Sequence, residues 1–207
     1  MPEVLQLLGP STGGIRRHVA WLSGALAERD WRVRTAGPDG VLAGLVEQDA
    51  IVPVPRGRRQ LRAAVEGVDL VHAHGLKAGW LASTLRGGAP LVVTVHNLVL
   101  DDVAGRGAPA LRALEGWIPR RVDAVIAVSD EIGRRFANAA NVHVVPPFGP
   151  VPVVRRDRDE VRAALGIAPG ERLLVAVARL HPQKDLPTLL RAMVGLDGAR
   201  LVIFGEG

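Results

Sequence analysis

Two cations stand five residues apart late in the chain. Arg179 directly follows the apolar run 173–178, and Lys184 follows a Pro-containing turn and precedes a new helical pattern. In an open parallel sheet, ligands sit at the carboxyl ends of the strands. A guanidinium that binds in a fork and a mobile ammonium at such a place suit an anion of more than one charge, with a diphosphate the natural fit. A solvated surface pair satisfies the same spacing. Two histidines, His74 and His96, each close an apolar run and are expected at the carboxyl edge of the sheet, on the same rim as Gly14. There a histidine hydrogen-bonds hydroxyls and phosphates, or moves protons near neutral pH. His72, two residues earlier, falls within its strand and is assigned a structural role. Gly13-Gly14 falls where the first helix begins, so backbone N–H groups there can approach a phosphate; a tight turn is the other reading.

Other chemistries are excluded or weak. A metal centre needs three or four converging ligands, and two histidines with Asp101-Asp102 nearby do not supply them, so no metal site is expected. There are no cysteines, which removes disulfides, thiolate metal sites and cysteine nucleophiles. No GxSxG elbow and no paired carboxylates at strand ends appear; Glu115 and Asp130 read as helix-surface and cap residues. Lys+Arg is 26 against Asp+Glu 21, a formal charge of +5 that favours anionic partners. Residues 56–62 and 117–121 mix cations with apolar side chains, which suits an anionic membrane surface or a solvated helix face. Aromatics are only 3%, and neither an aromatic stacking platform nor a nucleic-acid motif is present, so no nucleic-acid partner is expected.

The elements that must carry these residues follow from periodicity. Apolar runs of strand length at 4–8, 31–36, 51–54, 69–73, 91–95, 123–128 and 141–145 alternate with helical patterns at 15–29, 41–48, 56–67, 76–85 and 111–118, and with a further helix for which Ser129-Asp130 reads as the N-cap. Residues 97–108 read as loop. This alternation predicts a parallel, doubly wound α/β sheet with right-handed crossovers. Four prolines, Pro146, Pro147, Pro150 and Pro152, end the pattern, and 146–156 reads as a linker between a domain at 1–145 and a second at 157–207. In the second, strands are expected at 172–178 and 200–204 and helices at 159–165 and 186–194. Two strands and two helices cannot protect their own faces and edges, so the chain reads as the amino-terminal part of something longer. The first residues carry no signal-peptide pattern and no apolar run approaches the ~18 residues of a membrane span.

Taken in order, Gly13-Gly14 before a helix, His74 and His96 at strand ends, the run 124–129, Val144-Val145-Pro146, Leu165-Gly166-Ile167, Ala178-Arg179-Leu180, Lys184-Asp185-Leu186 and the ending 201–207 resemble the GT4-type retaining glycosyltransferases of GT-B fold. The resemblance spans essentially the whole chain. Its most specific part is Arg179 and Lys184 followed by Gly205-Glu206-Gly207.

The resemblance implies two Rossmann-like domains, the second incomplete here, with a nucleotide-sugar in the cleft between them. It implies that Arg179 and Lys184 hold the donor diphosphate, that Gly13 and Gly14 add backbone N–H groups to it, and that His96 contacts the donor sugar. His74, Asn97 and Ser129 are then assigned to the sugar or acceptor rim. Hexosyl transfer from a UDP- or GDP-sugar to a hydroxyl acceptor (glycan, lipid or small molecule) is expected, with retention and without a metal or other cofactor. Two departures stand out. Pro147-Phe148-Gly149 replaces the family's usual Pro-Asn-Gly. The downstream glutamate pair that grips the donor would fall beyond Gly207, so these 207 residues are expected to bind donor weakly without turnover. The competing readings are a non-catalytic nucleotide- or sugar-binding fragment, a sugar-nucleotide epimerase of the same fold and, less favoured, a basic nucleic-acid-binding module. The expected location is cytoplasmic, with peripheral attachment at the inner membrane face.

Overall fold

The computed structural model describes residues 1–9, 14–38, 42, 44, 46–47, 50–52, 55, 57–85, 88–97 and 105–207. Gly13, Asp101, Asp102 and most of the 41–48 helical pattern lie outside these. The chain divides into two compact units, Met1–Pro150 and Val151–Gly207.

In the first unit the apolar runs become parallel strands: β1 (Glu3–Leu8), β2 (Arg32–Ala36), β3 (Ile51–Val52), β4 (Leu70–His74), β5 (Leu91–Val95), β6 (Ala124–Ala127) and β7 (Val142–Val144). They form one sheet in the order β3-β2-β1-β4-β5-β6-β7. Helices α1 (Gly14–Ala27), α2 (Arg58–Val65), α3 (Leu76–Ser83), α4 (Ala108–Trp117) and α5 (Asp130–Arg135) connect them. The central strands are apolar on both faces because helices cover both; Val4, Leu5, Val93 and Val125 are wholly excluded from solvent. Each such side chain contributes about 1.5–3 kcal/mol relative to exposure. Packing sets side-chain size where α3 crosses β5: a Cβ on Gly79 would lie 2.8 Å from Val93 Cγ1.

Several boundaries differ from the sequence reading. Helix α4 starts at Ala108, inside the expected 97–108 loop. At its other end α4 stops at Trp117, just before Pro119, and a 3-10 turn, Ile118–Arg120, follows, in which the missing N–H of Pro119 is not needed. Glu115 is not a helix-surface residue: it is 6% exposed and engaged in an interaction. It lies two turns from the buried Ala108, on the face that α4 turns inward. Of the expected Ser129-Asp130 cap, Ser129 is the capping residue, its Oγ accepting from the Ile132 N–H, and Asp130 is the first residue of α5.

The second unit holds α6 (Arg158–Ala164), β8 (Arg172–Val177), α7 (Leu186–Ala192) and β9 (Ala199–Phe204), with β8 and β9 parallel. Asp157 and Glu160 form a reciprocal capping box that starts α6. Among the described residues, no helix is long and apolar enough to cross a membrane.

Candidate functional site

The strand order reverses between β1 and β4, which pair in parallel with Leu8 opposite His74. Such a reversal opens a crevice at the carboxyl ends of the two strands, because their connections leave in opposite directions. At this point β1 leads towards α1, β4 ends on His74, and β5 is followed by His96.

The structure brings three histidines together here. His74 Nδ1 lies 3.3 Å from His96 Nε2. The two rings stack at 5.5 Å, and His18, from the second turn of α1, stands edge-on to both, 5.9 Å from His74 and 5.3 Å from His96. Sequence reading missed His18. The signal available was its position four residues after Gly14, on the same face of the helix that starts at the crevice. Gln6 was also missed, although one polar residue inside the apolar run of β1 marks a buried partner. Its Oε1 lies 2.9 Å from His74 Nε2, and its Nε2 donates to Ser23 Oγ at 2.7 Å, whose hydroxyl donates to the Val19 carbonyl at 2.9 Å. His72 is likewise tied inside the sheet, with its Nε2 2.7 Å from Thr94 Oγ1.

Burial governs the charge of this cluster. It lowers His72 to about 4, with His18 and His96 as further causes, and His96 to about 4, with His18 contributing. Burial also holds His74 well below its ordinary value and lowers His18. A charged imidazole loses its hydration there and gains no anionic neighbour among the described residues, so the rings stay neutral at pH 7. One ligand nitrogen from each of His18, His74 and His96 falls within a 4.8 Å span, close enough to share a metal ion. The expectation that only two histidines converge is therefore corrected. In this arrangement two of the ring nitrogens face each other, and no carboxylate joins the set among the described residues.

The remaining expected residues fall as follows. Gly14 opens α1. His74 is only 3% exposed, so it does not form an open rim; its ring turns inward to Gln6 and lies behind His96. Asn97 is exposed directly after His96. Ser129 ends the β6 connection at the same sheet edge, with its hydroxyl accepting the cap bond. In Pro147-Phe148-Gly149 the glycine is kept: Gly149 lies against the Trp21 ring of α1, and a Cβ there would collide with it, whereas Phe148, the residue that departs, is exposed.

In the second unit, Arg179 is exposed just beyond β8 and is engaged in an interaction. Lys184 ends a 3-10 turn, Pro182–Lys184, and Asp185 then takes a left-handed φ of 44° at the start of α7. The β8–β9 pairing continues past the strands, through Ala178 N–H to the Phe204 carbonyl (3.0 Å) and Leu180 N–H to the Glu206 carbonyl (2.9 Å). Gly205 must be glycine here, because a Cβ would overlap the Ala178 carbonyl oxygen. Gly205-Glu206-Gly207 thus braces the backbone that presents Arg179.

A doubly wound parallel sheet with a histidine cluster at its switch point defines an α/β protein of Rossmann-like type. The chain belongs to glycosyltransferase family 4, the retaining group of GT-B fold: the model of "Glycosyltransferase Family 4" matches residues 12–148. It is 33% identical over 152 residues to a D-inositol 3-phosphate glycosyltransferase of Mycobacterium ulcerans, covering 66% of this chain and 33% of that protein. The Mycobacterium tuberculosis (strain H37Ra) protein of that name is 34% identical, with 66% and 32% covered. The chain thus spans about a third of the length of these relatives. Among solved structures it resembles Anabaena HepE in complex with UDP-glucose, with TM-score 0.74, 18% identity, and coverage of 99% of this chain and 60% of that one. It also resembles sucrose-phosphate synthase of Thermosynechococcus elongatus, with TM-score 0.68, 21% identity, and coverage of 97% and 62%. These likenesses establish the GT-B type of fold.

Proposed function

We propose that the protein this chain belongs to transfers a hexosyl group from a nucleotide diphosphate sugar to a hydroxyl acceptor, with retention of configuration. Family membership over residues 12–148 is the observation that carries this reading. The donor-bound state of a structural relative, HepE with UDP-glucose, supports a nucleotide diphosphate sugar as donor, with UDP- and GDP-sugars the candidates. In this reading Arg179 and Lys184 take the diphosphate, Gly13 and Gly14 offer N–H groups from the tip of α1, and His96 meets the donor sugar. His74 holds His96 from behind, and Asn97 and Ser129 line the acceptor side. Departure of a nucleoside diphosphate builds negative charge on its oxygens, and cations fixed in advance stabilise that charge as it develops. No metal is assigned to this step, since the two cations neutralise the leaving group.

The domain assignment proposed is 1–145 on the acceptor side, a linker at 146–156, and 157–207 on the donor side. An anionic membrane surface is proposed as the place of action. The test of the activity is product analysis with the complete native gene product, UDP- and GDP-sugars and hydroxyl acceptors. A glycosylated acceptor with the anomeric configuration of the donor is expected. Conversion of the donor sugar without any acceptor would instead establish an epimerase.

A further inference from the structure

The hydrogen bonds behind His96 decide which of its nitrogens carries the proton. The Ser23 hydroxyl has one hydrogen and gives it to the Val19 carbonyl, leaving Oγ to accept from the Gln6 amide. That orients the amide, so Gln6 Oε1 faces His74 Nε2. An amide oxygen only accepts, which places the His74 proton on Nε2. A neutral His74 then has a bare lone pair on Nδ1. The group facing that lone pair, His96 Nε2 at 3.3 Å, must supply the hydrogen.

We infer that Gln6 and His74 are positioning residues that hold His96 as its neutral Nε2–H tautomer, so that Nδ1, on the other side of the ring from His74, is an acceptor only. Among the described residues nothing donates to His96 Nδ1. A bare lone pair repels a phosphate oxygen, which carries no proton at neutral pH, and attracts a hydroxyl or N–H. His96 therefore takes the hydroxyl-bearing part of a ligand and leaves the diphosphate to other groups. This last step rests on the reading that His96 faces the donor sugar; the tautomer does not.

The test reads the tautomer without donor, so it stands apart from whether the protein transfers a sugar. Long-range proton–nitrogen NMR of the 15N-labelled 207-residue chain at pH 7, with and without EDTA, reports each imidazole nitrogen. The expected result is an unprotonated Nδ1 and a protonated Nε2 on both His74 and His96, unchanged by EDTA. A proton on His96 Nδ1, a doubly protonated ring, or an EDTA-dependent shift that marks a bound metal would overturn the proposal. Two variants separate positioning from space-filling. His74→Asn keeps an acceptor near the Nδ1 position and should preserve the His96 tautomer, whereas His74→Leu and Gln6→Leu should leave His96 a mixture. If His96 keeps a single Nε2–H tautomer in folded Gln6→Leu and His74→Leu, these residues do not set it. If His74→Asn loses the tautomer as His74→Leu does, the acceptor argument fails.

Discussion

At the scale of single residues, the two units differ in charge. The second unit presents exposed cations, Arg179 and Lys184, whereas the switch point of the first unit holds four histidines that burial keeps neutral. Removing one cation from a preorganised anion site costs about 2–4 kcal/mol of barrier. Arg179→Ala in the complete gene product should accordingly lower kcat/KM by roughly 30- to 900-fold. Near-normal turnover would take the diphosphate role away from Arg179. The histidines also make a pH prediction. His72 and His96 titrate near 4 when folded and near 6.5 when unfolded, so between those values the unfolded chain binds more protons. Their contribution is complete above pH 6.5 and is lost as pH falls towards 4, at up to about 1.4 kcal/mol per pH unit for each ring. Urea midpoints measured from pH 7 to 5 should fall steadily, and His72→Gln should reduce the slope; a flat profile would show that these rings are not buried neutral.

At the scale of elements, two glycines carry packing that no other residue can. Gly205 lets β9 run alongside Ala178 and Arg179, and Gly79 lets α3 lie on β5. Gly79→Ala should cost about 1–3 kcal/mol, as overpacking does elsewhere, read as a lower denaturation midpoint of the first unit. Gly205→Val must move the backbone that carries Arg179, so it should impair turnover as well as stability. Retention of full activity by Gly205→Val would separate the Gly205-Glu206-Gly207 segment from the role proposed for Arg179. Much of this level was legible beforehand. The apolar runs of β1, β4 and β5 were visible because strands covered on both faces are near-continuously apolar. The Ser129 cap was visible because capping is local, acting over three residues. The start of α4 was not, since Ala108, Pro109 and Ala110 follow a glycine-rich stretch whose local preference gives no helix signal.

At the scale of the molecule, the two units are unequal. The first encloses a continuous aliphatic core between Leu5, Val93 and Val125, whereas the two-stranded sheet of the second leaves Val177 82% and Val175 53% exposed. Limited proteolysis of the 207-residue chain should therefore leave a resistant fragment close to Met1–Pro150 and digest Val151–Gly207 first. Equal resistance of both would contradict this. The basic stretches noted in the sequence also find a common place. Arg62, Arg120 and Arg121 line one cavity of about 450 Å³ at the amino-terminal edge of the sheet, the edge away from the histidines. Arg121 stacks on Trp117 there, 4.8 Å from the ring centroid. With a net charge of +5, the chain should co-sediment with anionic vesicles at low salt and be released at high salt, and Arg62→Ser with Arg120→Ser should weaken this. Equal binding to neutral and anionic vesicles would remove the membrane from the proposal.

The sequence alone determined the alternation of strands and helices, the parallel sheet that follows from it, and the family. These depend on period, composition and short motifs, all of which act between near neighbours. Tertiary structure alone decided what surrounds His96. Strand order in space is not strand order in the chain: β1 lies beside β4, so Gln6 meets His74 across 68 positions and α1 delivers His18 to the same spot. The burial of Glu115 and the neutrality of the histidines were decided there too. Burial is a property of the packed neighbours rather than of the residue itself, and no local pattern encodes it.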